Sequence, residues 1–165
     1  MTQQTVDTRP TLLTILCILS FIGLGLGIFN GLSGILFGTA SNSFQPFIEE
    51  AYEEALHEMD MEDLPESAEN FVINLFDVLL KAIENISLIS LLSVLAHGLA
   101  LAGVIMMWNM SRRGFYIYTA GKAIYLLIPF TILGFNIITA LFLISSGFFI
   151  TIFIILYAIN LKYLK

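Results

Sequence analysis

The chain has 165 residues, 58% of them hydrophobic and only 12% charged, with a mean hydropathy of +0.89. Soluble domains average about 45–50% apolar and about 25% charged residues, and a domain of this size leaves much of its surface wet. A water-soluble globular fold is thereby excluded, and lipid is the expected solvent for most of the chain. Net charge is −6, unevenly spread: residues 39–85 hold twelve acids and one lysine, while all the rest holds six bases and Asp7. No basic face exists for a nucleic acid, so nucleic-acid partners are not expected.

Residues 1–10 read as a short polar N-terminus, cytoplasmic by the charge rule given below. Arg9-Pro10 leads into 28 uncharged positions, 11–38. At about 1.5 Å per residue these make a helix of roughly 42 Å, longer than a hydrocarbon core of about 30 Å. A tilted or projecting first span is predicted. A cleaved signal ending near Gly38-Thr39-Ala40 is the alternative, but signal cores run only about 7–15 residues. Gly23, Gly27, Gly31, Gly34 and Gly38 are spaced 4, 4, 3 and 4, which places them on one stripe. Small residues at that spacing let helix backbones approach in lipid. The partner is either another span of the same chain or a second copy. Cys17, the sole cysteine, reads as a small buried hydrophobe.

Residues 39–85 read as an acidic, helical, extracytoplasmic segment. Phe44, Ile48, Ala51, Ala55 and Met59 recur at helical spacing, and Val72, Phe76, Leu79 and Ile83 form a second stripe. Asp63 or Ser67 is expected to cap the second helix. The two helices are expected to pack on each other or lie at the membrane surface. Interfacial helices carry Lys and Arg, so a protein surface suits these acidic ones better than lipid headgroups. Glu50, Glu53, Glu54 and His57, with Met59 and Met61 nearby, form a candidate site for weak divalent cation binding, since carboxylates and imidazole suit such ions.

Residues 86–108 make the second span. Ser87, Ser90, Ser93 and His97 form a polar stripe along it at intervals of 3, 3 and 4. That stripe reads either as interhelical hydrogen bonding or as part of a polar pathway. A cytoplasmic loop, 109–114, carries Arg112 and Arg113. The next 47 residues, 115–161, are apolar except for Lys122. They are too long for one crossing, and the break is expected at Gly134-Phe135-Asn136. The third span is then 115–134, a turn occupies 135–137, the fourth span is 138–161, and 162–165 is the C-terminus. Lys122 is an intramembrane cation and so a candidate functional residue, although its stem is long enough to snorkel toward the nearer end. Pro129 is placed to kink the third span. Ser145, Ser146 and Thr151 are expected to donate hydrogen bonds between helices.

Arg9, Arg112, Arg113, Lys162 and Lys165 all fall at one end in a four-span topology, which predicts that both termini are cytoplasmic. Trp108, Phe115, Tyr116, Tyr118, Tyr157 and Tyr163 are expected to form an aromatic belt at that end. The fold class is therefore all-α: a polytopic four-transmembrane-helix bundle with a helical acidic segment between helices 1 and 2.

No nucleophile sits near a paired base, and no HExxH or phosphate-loop motif occurs. No enzyme activity and no cofactor is expected. Three strings carry a resemblance: Arg9-Pro10-Thr11-Leu12-Leu13-Thr14-Ile15-Leu16-Cys17; Arg113-Gly114-Phe115-Tyr116-Ile117-Tyr118-Thr119-Ala120-Gly121-Lys122; and Tyr157-Ala158-Ile159-Asn160-Leu161-Lys162. The chain resembles a family of small four-span bacterial membrane proteins to which no biochemical activity is assigned. The resemblance implies a bacterial inner membrane and a periplasmic acidic segment, and it transfers no catalytic or ligand residues. The topology is also similar to that of claudins, in architecture only. The expected role is a scaffold or interaction protein, an accessory subunit or homo-oligomer that binds itself or another membrane protein. The alternative is an oligomeric channel or transporter for small cations.

Overall fold

The computed structural model describes residues 9–40, 45–58 and 65–165. All regular structure among them is helical: α1 (Thr11–Ala40), α2 (Gln45–Glu58), α3 (Glu66–Glu84), α4 (Ile86–Trp108), α5 (Arg113–Leu133), α6 (Ile137–Asn160) and a closing 3₁₀ turn (Leu161–Tyr163). Four helices are long and apolar enough to cross a membrane: Thr11–Gly38, Ile86–Trp108, Arg113–Leu133 and Ile137–Tyr163. They form a bundle with α4 in the middle, packed on α1 and α5, while α6 rests more lightly on α5 and α1.

Local chemistry sets the helix ends. At the start of α1 the Pro10 carbonyl accepts from both the Thr14 amide (3.1 Å) and the Thr14 hydroxyl (3.3 Å). Pro65 stands at the N-cap of α3 with no side-chain cap, and Ser67 lies inside the helix. The expected Ser67 cap is thus replaced by proline, whose fixed φ suits a helix start without a side-chain acceptor; Asp63 lies outside the described residues. Between α3 and α4, Asn85 donates its amide to Lys81 (3.1 Å) and its carbonyl accepts from Ile89 (2.8 Å), so α3 feeds α4 with little interruption.

The α4–α5 turn closes on Met110, whose φ is +62°. The Ser111 amide reaches back to the Met106 carbonyl (2.9 Å) and the Met110 amide to Met107 (3.0 Å), a Schellman pattern that glycine usually completes. The chain end is clipped onto this turn: the Arg112 amide donates to the Lys165 carbonyl (2.7 Å), and the Lys165 amide to the Met110 carbonyl (2.8 Å). Between α5 and α6, Gly134 adopts φ +75°. The Asn136 side chain accepts from the amides of Ile138 (3.0 Å) and Thr139 (2.9 Å), while the Asn136 amide donates to the Thr139 hydroxyl (3.0 Å). Glycine supplies the left-handed turn and Asn136 the reciprocal cap.

The hydrophobic core is concentrated toward the end of the bundle that carries Arg9, Arg112 and Arg113, hereafter the basic end. Leu13, Leu16, Cys17 and Leu24 of α1 meet Ala100, Val104 and Met107 of α4, Tyr118 of α5, Tyr157 of α6 and Leu164. Tyr118 and Tyr157 are therefore core residues, at 2% and 0% exposure, and not part of an aromatic belt. Their rings meet edge-on at 5.0 Å, and the Tyr157 hydroxyl donates to Ser20 (2.9 Å), so the polar tip of the ring is satisfied inside the bundle. Tyr116 and Tyr163 are exposed, as a belt requires. The Arg9 guanidinium lies 3.7 Å from the Trp108 ring centroid, a cation–π contact.

At the opposite, acidic end, α2 packs on α3 through Tyr52 and Phe76, whose centroids are 4.7 Å apart. Of the predicted α2 stripe, Ala51 is exposed, and Phe44 and Met59 lie outside the described residues. In α3, Leu79 is 45% exposed and Val78 is buried. Val72, Phe76 and Ile83 of the predicted stripe are half-buried, so the stripe departs only at Leu79.

Candidate functional site

The glycine stripe of α1 and the serine–histidine stripe of α4 face each other. A methyl group added at Gly27 would fall 2.5 Å from the His97 ring, and one at Gly31 would meet the Val94 side chain and the Ser90 carbonyl. Gly34 abuts the Ser90 hydroxyl, and Gly38 the Ser87 hydroxyl. These four glycines bring α1 close enough for the polar side chains of α4 to lie against its backbone. Gly23 departs from the expected stripe, since nothing lies within 4 Å of where its side chain would be.

The stripes border a cavity of about 240 Å³ lined by Gly27, Asn30, Gly31, Ser90, Ser93, His97 and Tyr125. It is large enough and polar enough for ordered water. His97 is positioned within it by three contacts. Nδ1 lies 2.7 Å from the Ser93 carbonyl, and because a carbonyl only accepts, Nδ1 carries the proton. The ring meets Tyr125 edge-on at 4.6 Å, and its Nε2 side faces Gly27. The histidine thus bonds its own helix one turn back, not the neighbouring helix.

One turn of α5 toward the basic end lies a second cavity of about 140 Å³, lined by Ser20 and Leu24 of α1, Tyr118 and Lys122 of α5, and Phe149, Ile150 and Phe153 of α6. The Lys122 ammonium is 6.0 Å from the Tyr118 ring centroid and 5.9 Å from that of Tyr125. Those residues stand one turn on either side of it, so the ammonium lies between the two rings. Beyond this cavity the Ser20–Tyr157–Tyr118 contact and the core close the bundle.

Sequence reasoning missed the contact in which backbone meets backbone. A methyl group at Gly103 would meet the Tyr118 amide nitrogen and the Gly114 carbonyl, and one at Gly121 would meet Ala100 and Ala96 backbone atoms. The α4–α5 pair is therefore packed backbone on backbone. Its signal was present as Ala96, Ala100 and Gly103 on one helix and Gly114 and Gly121 on the next, residues that share helical faces. Ser145, expected to bond between helices, instead donates to the Phe142 carbonyl of its own helix (3.2 Å), and Thr151 is exposed.

The acidic candidate residues Glu50, Glu53, Glu54 and His57 lie exposed along α2. Among the described residues no three His, Cys, Asp or Glu side chains are grouped to hold a metal ion. The four share one solvated helix, and no second element among the described residues brings a converging ligand. Chemically, the bundle interior offers hydroxyls, an amide, an imidazole and one ammonium, with no carboxylate in any of the four spans. Such a set can order water and bind an anionic group; it lacks the oxygen cage of a hard-cation site.

No protein-family model, curated protein or solved structure matches the chain.

Proposed function

We propose that this chain is a non-enzymatic interaction protein of the membrane, an accessory subunit or oligomer whose surfaces are completed by other chains. The observation that carries the reading is the unequal burial of the spans. In its most apolar window α4 is 33% buried, α1 28% and α5 17%, whereas α6, the most lightly attached of the four spans, is 6% buried. Helices in lipid associate by packing and polar contacts, so a long span that uses so little of its surface internally has most of it free for a partner. The α2–α3 pair adds an acidic surface outside the lipid. The basic residues gathered at one end favour cytoplasmic termini by the positive-inside rule, and the family resemblance favours a bacterial inner membrane with the acidic helices in the periplasm. In-membrane crosslinking tests the reading: a defined adduct is expected from photo-crosslinkers on the exposed α6 residues Ile144, Phe148 or Ile155, and absence of any adduct at all three positions contradicts it.

The cavity lined by Ser90, Ser93 and His97 supports a second reading, a channel or transporter for small cations. Against it, Lys122 places a positive charge beside the pathway and the packed core closes the basic end. A cation flux in proteoliposomes that His97→Leu abolishes would favour this second reading over the first.

A further inference from the structure

The Lys122 ammonium is the one charge within the spans away from their ends. It is the tenth residue of the 21-residue α5, about 14 Å from the helix start at about 1.5 Å per residue. It lines the crevice between α1 and α6, faces two tyrosine rings, and has no carboxylate in any span of its own chain to pair with. An ammonium at this depth is costly unless paired. The crevice around it is apolar, with Leu24, Ile150 and Phe153 as walls and Phe149, 66% exposed, on its lip.

The two bordering helices present open shelves beside the crevice. Gly23 shares a helical face with Ser20 and Gly27, and Gly147 shares one with Ile150. Nothing lies within 4 Å of a side chain built at either glycine. Small residues of this kind admit the close approach of another helix backbone.

From these observations, and resting on the interaction reading above, we propose that the α1–α6 crevice receives a transmembrane helix of a different protein, whose aspartate or glutamate pairs with Lys122. Depth selects a helix over a lipid, because lipid headgroups sit at the boundary of a hydrocarbon core about 30 Å thick while a helix carries a carboxylate to any level. Composition selects a different protein over a second copy, because the spans of this chain hold no acid to offer.

The test uses the full chain reconstituted in nanodiscs, with a leucine-rich transmembrane peptide of about 20 residues bearing one central glutamate, or glutamine in its place. Association is read by energy transfer at neutral pH. The glutamate peptide is expected to bind the wild-type chain about tenfold more tightly than the glutamine peptide, the size of effect that polar contacts between membrane helices reach. Lys122→Met erases that preference and Lys122→Arg retains it; elution profile and thermal unfolding check that both variants fold.

Equal binding of the two peptides to the wild-type chain, or a preference that survives Lys122→Met, overturns the proposal. So does displacement of the peptide by a second copy of the chain. A single anionic lipid retained by the wild type and lost in Lys122→Met, with no discrimination between peptides, overturns it in favour of a lipid site. A native hetero-complex that Lys122→Met leaves intact defeats the docking site and spares the interaction reading. Peptide selectivity in a chain that is strictly monomeric in its native membrane, with no crosslinked adduct, defeats that reading and spares the site.

Discussion

The two halves of the bundle are built on different principles. Toward the basic end, α1, α4, α5 and α6 converge on one closed core, where Leu13, Cys17, Ala100, Val104, Met107 and Tyr157 are fully buried. Toward the acidic end the same helices meet through glycine on α1 and serine or histidine on α4, around a polar cavity of about 240 Å³. Lys122 stands at the junction, with a cavity of its own. In lipid there is no hydrophobic force to pull apolar helices together, and close packing holds them instead. The basic half is closed by interlocking side chains and by the backbone contacts of Gly103, Gly114 and Gly121, while the half in which glycine meets serine and histidine leaves space for water or for a partner.

That contrast is sharpest at the glycines. Gly121→Leu should have the largest effect, because its side chain meets the backbone of Ala96 and Ala100, which cannot rotate away. A loss of about 3 kcal/mol or more is expected from such overpacking, measured by steric-trap unfolding in bicelles; a loss no larger than at Gly27 would break the comparison. Gly27→Leu first meets the His97 ring, a side chain beside a cavity, so about 1–2 kcal/mol is expected, together with a shift of the His97 imidazole NMR signals. Unchanged signals would mean that α1 and α4 are further apart than described.

Tyr157→Phe removes the hydroxyl that donates to Ser20 and should cost about 0.6 kcal/mol, the average for such bonds between membrane helices. A value near zero would show that the closed half is held by ring packing alone. Gly23→Ala should change stability by less than about 0.5 kcal/mol, since its side chain would enter open space; a larger loss would mean that α1 has a contact there within the chain. Smallest of all, Cys17 is fully buried in the closed half and should stay unlabelled by maleimide until detergent denaturation. Rapid labelling of the native protein would show that half to be open.

The number of spans was legible because length and hydropathy are enough to count lipid-crossing helices. The Gly134–Asn136 break was legible because left-handed turns and N-caps have few chemical solutions. Which faces meet was far less so. The spans are apolar on every side, since lipid-facing and core-facing positions draw on the same residues, and no periodicity separates them. Tyr118 and Tyr157 could thus be mistaken for an interfacial belt, where tyrosine is equally at home. The glycine and serine–histidine stripes were each visible alone, yet nothing in the sequence said that they face each other. Gly103, Gly114 and Gly121 were passed over because their spacing crosses a turn between two helices. Lys122 is legible as an intramembrane cation, but the cavity between α1 and α6 that it lines is not.

A bundle completed by other chains leaves its native membrane as a larger particle than the chain alone. The most direct measurement is the mass of the particle released gently from native membranes into nanodiscs, set against the 18.4 kDa of the chain. A defined complex heavier than one chain is expected, and a helix docked at Lys122 further requires a mass that is not a whole multiple of 18.4 kDa. A uniform particle holding one copy of the chain and lipid alone would contradict it.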